Sequence, residues 1–416
     1  MKLKNWFLFI LVGITITGAA QNNLIYKAAK EKTHTLIHTK LKVDFNFEEM
    51  QLNGEAWITA KPYFYATNTF ILDAKSMLLH TISLDGIPLE YDYDDYIITI
   101  QLPKKYTKEE EFTLYIKYTA RPEKIKEKGS AAITSAKGLY FINANGADKK
   151  KPTQIWTQGE TEGSSCWFPT IDAPNQKTTQ EIYITVPNKY LTLSNGELIS
   201  QTRNQGSRTD YWKMDQKHAP YLVFIGVGEF KVIKDNYKDI AVEYYVEKDY
   251  AKYAKGIFGN TPEMIAFFSD KLGVAFPWNK YSQMVVRDYV SGAMENTTAV
   301  VHGEQAYQTA GQLIDENTHE STIAHELFHH WFGNLVTSES WSNLTLNESF
   351  ANYSEYLWQE YKYGKEAAEM HMYNNVQLYL DGQESEKKLV RFQYLEKEDM
   401  FDLVSYNKGG AILHML

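Results

Sequence analysis

The chain has 416 residues, 44% hydrophobic and 23% charged, with a formal net charge of −9. At about 150 residues per domain, that length predicts two or three domains, and the acidic balance excludes the basic footprint a nucleic-acid binder needs. The only cysteine, Cys166, excludes an internal disulfide and reads as a small buried side chain.

The N-terminus has the layout of a secretion signal over residues 1–20. Lys2 and Lys4 lead an apolar run from Trp6 to Ile16, and Gly18-Ala19-Ala20 offers small residues for cleavage. No other stretch approaches the roughly 20 apolar residues of a membrane span. The expectation is an exported protein, periplasmic or extracellular and bacterial, that folds without disulfides.

Residues 21–236 read as a β domain. Leu41, Val43, Phe45 and Phe47 alternate with polar residues, the period of a half-buried strand. Asn53-Gly54 reads as a hairpin turn before Ala56-Trp57-Ile58. Similar texture recurs at Tyr96–Leu102, Phe112–Tyr118, Ile182–Val186 and Tyr221–Phe230, with turns at Asp85-Gly86 and Asn195-Gly196. The 30 tyrosines, 20 phenylalanines and 9 tryptophans suit β-rich core packing. The polar stretch 122–137 has no period and reads as a surface loop.

Residues 237–416 read as a mostly helical domain. Tyr253, Ile257, Met264, Phe267 and Phe268 have helical spacing, and long helical patterns cover Asn317–Phe332, Asn347–Tyr363 and Glu366–Leu380. The last residues, 408–416, look like the start of a helix without a stop signal, so the chain is expected to be part of a longer protein.

His325-Glu326-Leu327-Phe328-His329 is an HExxH sequence. Residues four apart share a helix face, so His325 and His329 can grip one ion while Glu326 lies beside it. Five-residue patterns arise by chance, but a third ligand changes the odds. Eighteen residues separate His329 from Glu348, which sits in another helical pattern. Two histidines and one glutamate form a ligand set of catalytic zinc. One zinc ion per chain is therefore expected at His325, His329 and Glu348.

The run from His325 to Thr337, followed by Leu346-Asn347-Glu348-Ser349-Phe350-Ala351, resembles the aminopeptidase N family of gluzincins, which includes leukotriene hydrolase. Gly292-Ala293-Met294-Glu295-Asn296 matches that family's exopeptidase motif. Thr157-Gln158-Gly159-Glu160 and the Phe168–Pro174 segment resemble its N-terminal signature. The resemblance implies an α+β multidomain fold: an antiparallel saddle- or sandwich-like β domain, then a thermolysin-like, mostly helical catalytic domain. It implies a zinc aminopeptidase acting on peptides with a free N-terminus, with Glu326 as general base and Tyr406, in Tyr406-Asn407-Lys408-Gly409, stabilising the oxyanion. It also implies that Glu295 and Glu160 hold the α-ammonium group. Gly292, Ala293, Met294 and Asn296 complete the substrate-binding set, with the backbone of Gly292 and Ala293 holding the peptide as an added strand.

Ser349 and Thr297 depart from the family's usual Gly and Pro without removing a chemical role. His330 reads as a packing residue, Glu320 as a solvated helix residue, Asn347 as orienting its helix, and Arg287 with Asp288 as a structural pair. Three other readings stand beside this one. Glu295 and Glu160 argue against a thermolysin-type endopeptidase. The intact catalytic set argues against a silent scaffold. Nothing points to the lipid channel of an epoxide hydrolase.

Overall fold

In a computed structural model, the structure describes residues 26–416 apart from 28 and 385. The expected secretion signal, residues 1–20, lies outside the described residues.

The N-terminal domain is built on an eight-stranded sheet. Its centre is strand His34–Asn46, antiparallel to Gln51–Pro62 and parallel to Thr178–Pro187. The alternation at Leu41 and Val43 puts both side chains in the core. Phe112–Ala120 and Ser207–His218 extend the sheet on either side. Two smaller sheets complete the domain. One has three strands, including Thr67–Asp73 and Ile97–Tyr106. The other has four, with Gln154–Thr157 between Leu139–Ile142 and Ile225–Gly228.

Asn53-Gly54 is not a turn. Both residues lie inside strand Gln51–Pro62, and the chain reverses before it, at residues 47–50. A Cβ on Gly54 would stand 2.2 Å from the ring of buried Tyr118 on the neighbouring strand. The glycine makes room for that ring, and a turn signal cannot be told from a packing glycine without knowing the cross-strand partner. Asp85-Gly86 and Asn195-Gly196 are turns as expected, with positive φ at both glycines.

The catalytic part also carries a sheet. Lys231–Tyr237, Ile240–Val246, Lys280–Val286, Ala299–Gly303 and the short Ala293–Met294 form five strands in that order, Ala293–Met294 at one edge. The boundary read at residue 236 therefore falls inside the first of these strands, where a β texture continues across it. Helix Thr261–Leu272 packs on Lys231–Tyr237 and helix Glu320–Phe328 on Ala293–Met294, while Thr345–Tyr363 packs on Glu320–Phe328 and Lys365–Asp381 on Thr345–Tyr363. One apolar core fills the β domain and runs on into Met284, Val286 and Met294 of the catalytic part, so the two parts share packing at the site. A second core lies among the helices around Phe268, Phe328 and Trp358.

Candidate metal centre and substrate cavity

Helix Glu320–Phe328 buries Ile323, Ala324, Leu327 and Phe328, which fixes its roll about its axis. His325 and His329 then project from one side. The helix pattern read to Phe332 stops at Phe328, because the chain turns back: Asn334 N donates to His329 O and Gly333 N to Val336 O. Gly333 has φ 137°, and a Cβ there would stand 3.2 Å from His329 Nδ1, so only glycine fits comfortably beside the second histidine.

Helix Thr345–Tyr363 packs on the HExxH helix and presents Glu348 to it. Glu348 Oε2 lies 3.2 Å from His325 Nε2 and 3.5 Å from His329 Nε2. Donors about 2.0–2.1 Å from a tetrahedral zinc would stand roughly 3.3 Å apart. The three side chains therefore fit a zinc ion. His325 Nδ1 bonds Glu355 Oε1 at 2.8 Å and His329 Nδ1 bonds the Phe332 carbonyl at 3.0 Å. Each bond assigns the ring proton to Nδ1 and turns the Nε2 lone pair toward Glu348. Although burial pushes the Glu348 carboxyl up, His325 and His329 in their protonated form hold it down at about 2.

Glu355 was not singled out from the sequence. It lies seven residues after Glu348, two helical turns along the same face, and that spacing is the signal that could have found it. Asn347 orients its helix: its amide donates to Tyr221 OH, and its oxygen accepts from Ser338 Oγ. Ser349, where the related pattern has Gly, donates to the Ser405 carbonyl at 2.6 Å. A Cβ on Gly409 would stand 1.8 Å from Ser349 Oγ, so this glycine lets the Tyr406 segment close onto the third-ligand helix.

Tyr406 lies on a π-helical turn, Val404–Lys408, a local widening often found at functional sites. Its ring is nearly parallel to that of His325, with centroids 6.0 Å apart. Burial, with Glu348 nearby, raises its hydroxyl well above the ordinary value, so the group is a donor at neutral pH.

Glu160, Ala293, Glu295, His325, Glu326, His329, Glu348 and Tyr406 line one small cavity. Glu160, Glu295 and Glu326 are buried, and each has one carboxylate oxygen without a partner among the described residues. Burial raises all three carboxyls, Glu326 to about 8, and Glu295 further raises Glu160. Three buried, unpaired acceptors facing one space call for donors from a ligand.

Gly292, Met294 and Asn296 do not line this cavity. Gly292 O accepts from Gly303 N, Met294 packs against Gln158, and Asn296 is fully buried. The edge strand Ala293–Met294 pairs on one side only, with Val301 and His302, so its other side can receive an extended peptide.

Several assignments change with the tertiary structure. Glu320 is buried, accepting from Asn260, Trp358 Nε1 and Tyr363 OH. Arg287 and Asp288 do not pair with each other: Arg287 forks onto Glu247, and Asp288 meets Lys151. His330 is a packing residue as expected, stacked on Phe276 and accepting from Thr298 N. The stretch 122–137 is no bland surface loop. Thr134 donates to Val290 O, and the tip brings Ala132 and Ile133 onto the cavity wall. Its lack of period gave no hint of this, because hydrogen bonds to a distant loop residue, Val290, hold it there.

Comparison with known proteins agrees with this architecture. The Peptidase M1 N-terminal domain model matches residues 34–222, and the Peptidase family M1 domain model matches residues 257–416. Aminopeptidase M1 of Arabidopsis thaliana is 31% identical over 294 residues, 67% of this chain and 33% of the relative. Mitochondrial aminopeptidase 2 of Saccharomyces cerevisiae is 26% identical over 398 residues, 91% of this chain and 40% of the relative. The chain thus spans about a third of the length of the curated relatives it matches. The M1 zinc metallopeptidase of Deinococcus radiodurans shares the fold, with a TM-score of 0.73 at 19% identity over 93% of this chain and 83% of that one. A mutant of that enzyme bound to a Tyr-Ser-Ala substrate superposes equally well, with a TM-score of 0.74 at 18% identity over the same shares. With both domain models matched in order across the β domain and the helical domain, the chain belongs to peptidase family M1.

Proposed function

We propose that this protein is a zinc-dependent aminopeptidase that removes the N-terminal residue from peptides, holding one zinc ion through His325, His329 and Glu348. The observation that carries the reading is the single cavity in which this trio meets two further buried carboxylates with unpaired oxygens, Glu160 and Glu295. A zinc ion there supplies Lewis acidity for a carbonyl and lowers the pKa of water.

The protein's own groups account for the rest of the chemistry. Glu295 and Glu160 accept hydrogen bonds from the substrate's α-ammonium, which fixes cleavage after one residue. The edge strand at Ala293 aligns the peptide backbone. Glu326 stands beside the ligands without joining them. It takes a proton from the attacking water and passes it to the leaving nitrogen. The Tyr406 hydroxyl donates to the oxygen that gains charge as the carbonyl carbon becomes tetrahedral. The N-terminal segment supports export of the protein.

The test is a set of matched peptides with free and acetylated N-termini, assayed with zinc-loaded protein. Free peptides are expected to be cleaved and acetylated ones not, with Glu326→Gln losing turnover by several orders of magnitude while zinc content stays the same. Equal cleavage of blocked and free peptides would overturn the exopeptidase reading.

A further inference from the structure

Behind the amine-binding carboxylates lies a second cavity of about 320 Å³. Ile133, Gln158 and Glu160 line both spaces, so the two adjoin at these side chains. An N-terminal residue carries its α-amine and its side chain on one carbon. If Glu160 and Glu295 hold the amine, the adjoining space on the other side of Glu160 is open to the side chain.

Charged side chains line that cavity among apolar and glycine surface, and they are not equally free. Its two half-buried cations are already engaged. Lys75 Nζ donates to the Glu162 carbonyl at 2.7 Å, and Lys397 Nζ donates to Glu162 Oε2 at 2.7 Å. Lys128 is exposed to solvent. The acceptors are in surplus. Glu127 Oε2 and Glu160 Oε1 are buried and have no partner among the described residues. Glu398 adds a third carboxylate, which among the described residues receives only the Thr161 hydroxyl, at 2.6 Å.

An apolar side chain entering this space would leave Glu127 Oε2 desolvated and still without a donor. An acidic one would add like charge to three carboxylates. A long cationic side chain supplies the missing donors. Building on the aminopeptidase reading above, we infer that this cavity receives the side chain of the substrate's N-terminal residue and selects lysine and arginine, with Glu127 and Glu398 as the specificity-determining groups.

The experiment is a panel of amino-acid amide fluorogenic substrates (Arg, Lys, Leu, Ala and Glu) assayed with the zinc-loaded full chain and with Glu127→Gln, Glu398→Gln and Glu127→Lys. Arg and Lys are expected to show the highest kcat/KM. Each Gln variant should lower the Arg-to-Leu ratio by roughly tenfold, the scale of one charge-assisted hydrogen bond. Glu127→Lys should raise the Glu-to-Leu ratio, a change that mere loosening of the loop would not produce. Turnover on Leu or Ala without an Arg or Lys preference overturns this inference and leaves the aminopeptidase reading intact. So does a preference that neither Gln variant moves. Loss of turnover on every substrate removes both.

Discussion

Glu355 offers the sharpest test of how the fold serves the metal centre. Its Oε1 holds His325 Nδ1 at 2.8 Å, and its Oε2 lies 3.3 Å from His371 Nε2. His325 therefore reaches Glu348 with its ring orientation and tautomer fixed from behind. Glu355→Gln keeps the side chain's shape and one acceptor for His325 but removes the negative charge that makes the imidazole a better donor of electrons. Such partners behind a ligand are worth about 10- to 100-fold in metal affinity, or about 1.4–2.7 kcal/mol. Gln should fall near the lower figure and Ala, which frees the ring to turn, near the upper. The assay is competition for zinc against a chelator of known affinity, with circular dichroism to verify folding. A zinc Kd within twofold of wild type for folded Glu355→Ala would refute the reasoning.

Other predictions follow from the same geometry. Tyr406→Phe should lower kcat by two or more orders of magnitude, the scale of one lost oxyanion donor, with KM and zinc content little changed; single-turnover kinetics would reveal an unchanged chemical rate if Tyr406 is idle. Lys280 is fully buried, donates to the Ser194 carbonyl at 2.8 Å, and is lowered by burial from 10.5 to about 7. The unfolded chain therefore binds the extra proton between those values. Its contribution to stability is full above about pH 10.5 and is lost as pH falls toward 7, at up to about 1.4 kcal/mol per pH unit. In Lys280→Met the pH slope should flatten, so a difference in Tm from wild type that stays constant from pH 7 to 9.5 would contradict the assignment. Gly54→Ala should destabilise by about 1–3 kcal/mol through overpacking against Tyr118, read as a lower urea midpoint; an unchanged midpoint would mean the Tyr118 ring can yield.

The two histidines and Glu326 were legible because they sit within about one helical turn, where spacing alone dictates geometry. Glu348 and Tyr406 were legible only through motifs. No local rule states that a residue 19 positions after His329, or one on a later π turn, comes to the same cavity. The added donors and walls were less visible still. Glu355 looked like one more charge on a long amphipathic helix, and Glu320 like a solvated one until Trp358, Tyr363 and Asn260 closed over it.

The sequence by itself determined the β and helical halves, the metal-binding residue types and the helix that carries two of them, since periodicity and i, i+4 spacing are properties of the chain over a few turns. Only the tertiary structure decided that Gly54 seats a ring rather than a turn, that the aperiodic 122–137 stretch walls the cavity beside His325 and Glu348, and that Glu127 and Glu160 have oxygens without a partner among the described residues. Those facts depend on which distant segments fill the space around each side chain, and burial and pairing of that kind are set by packing between elements, not by the order of residues within one.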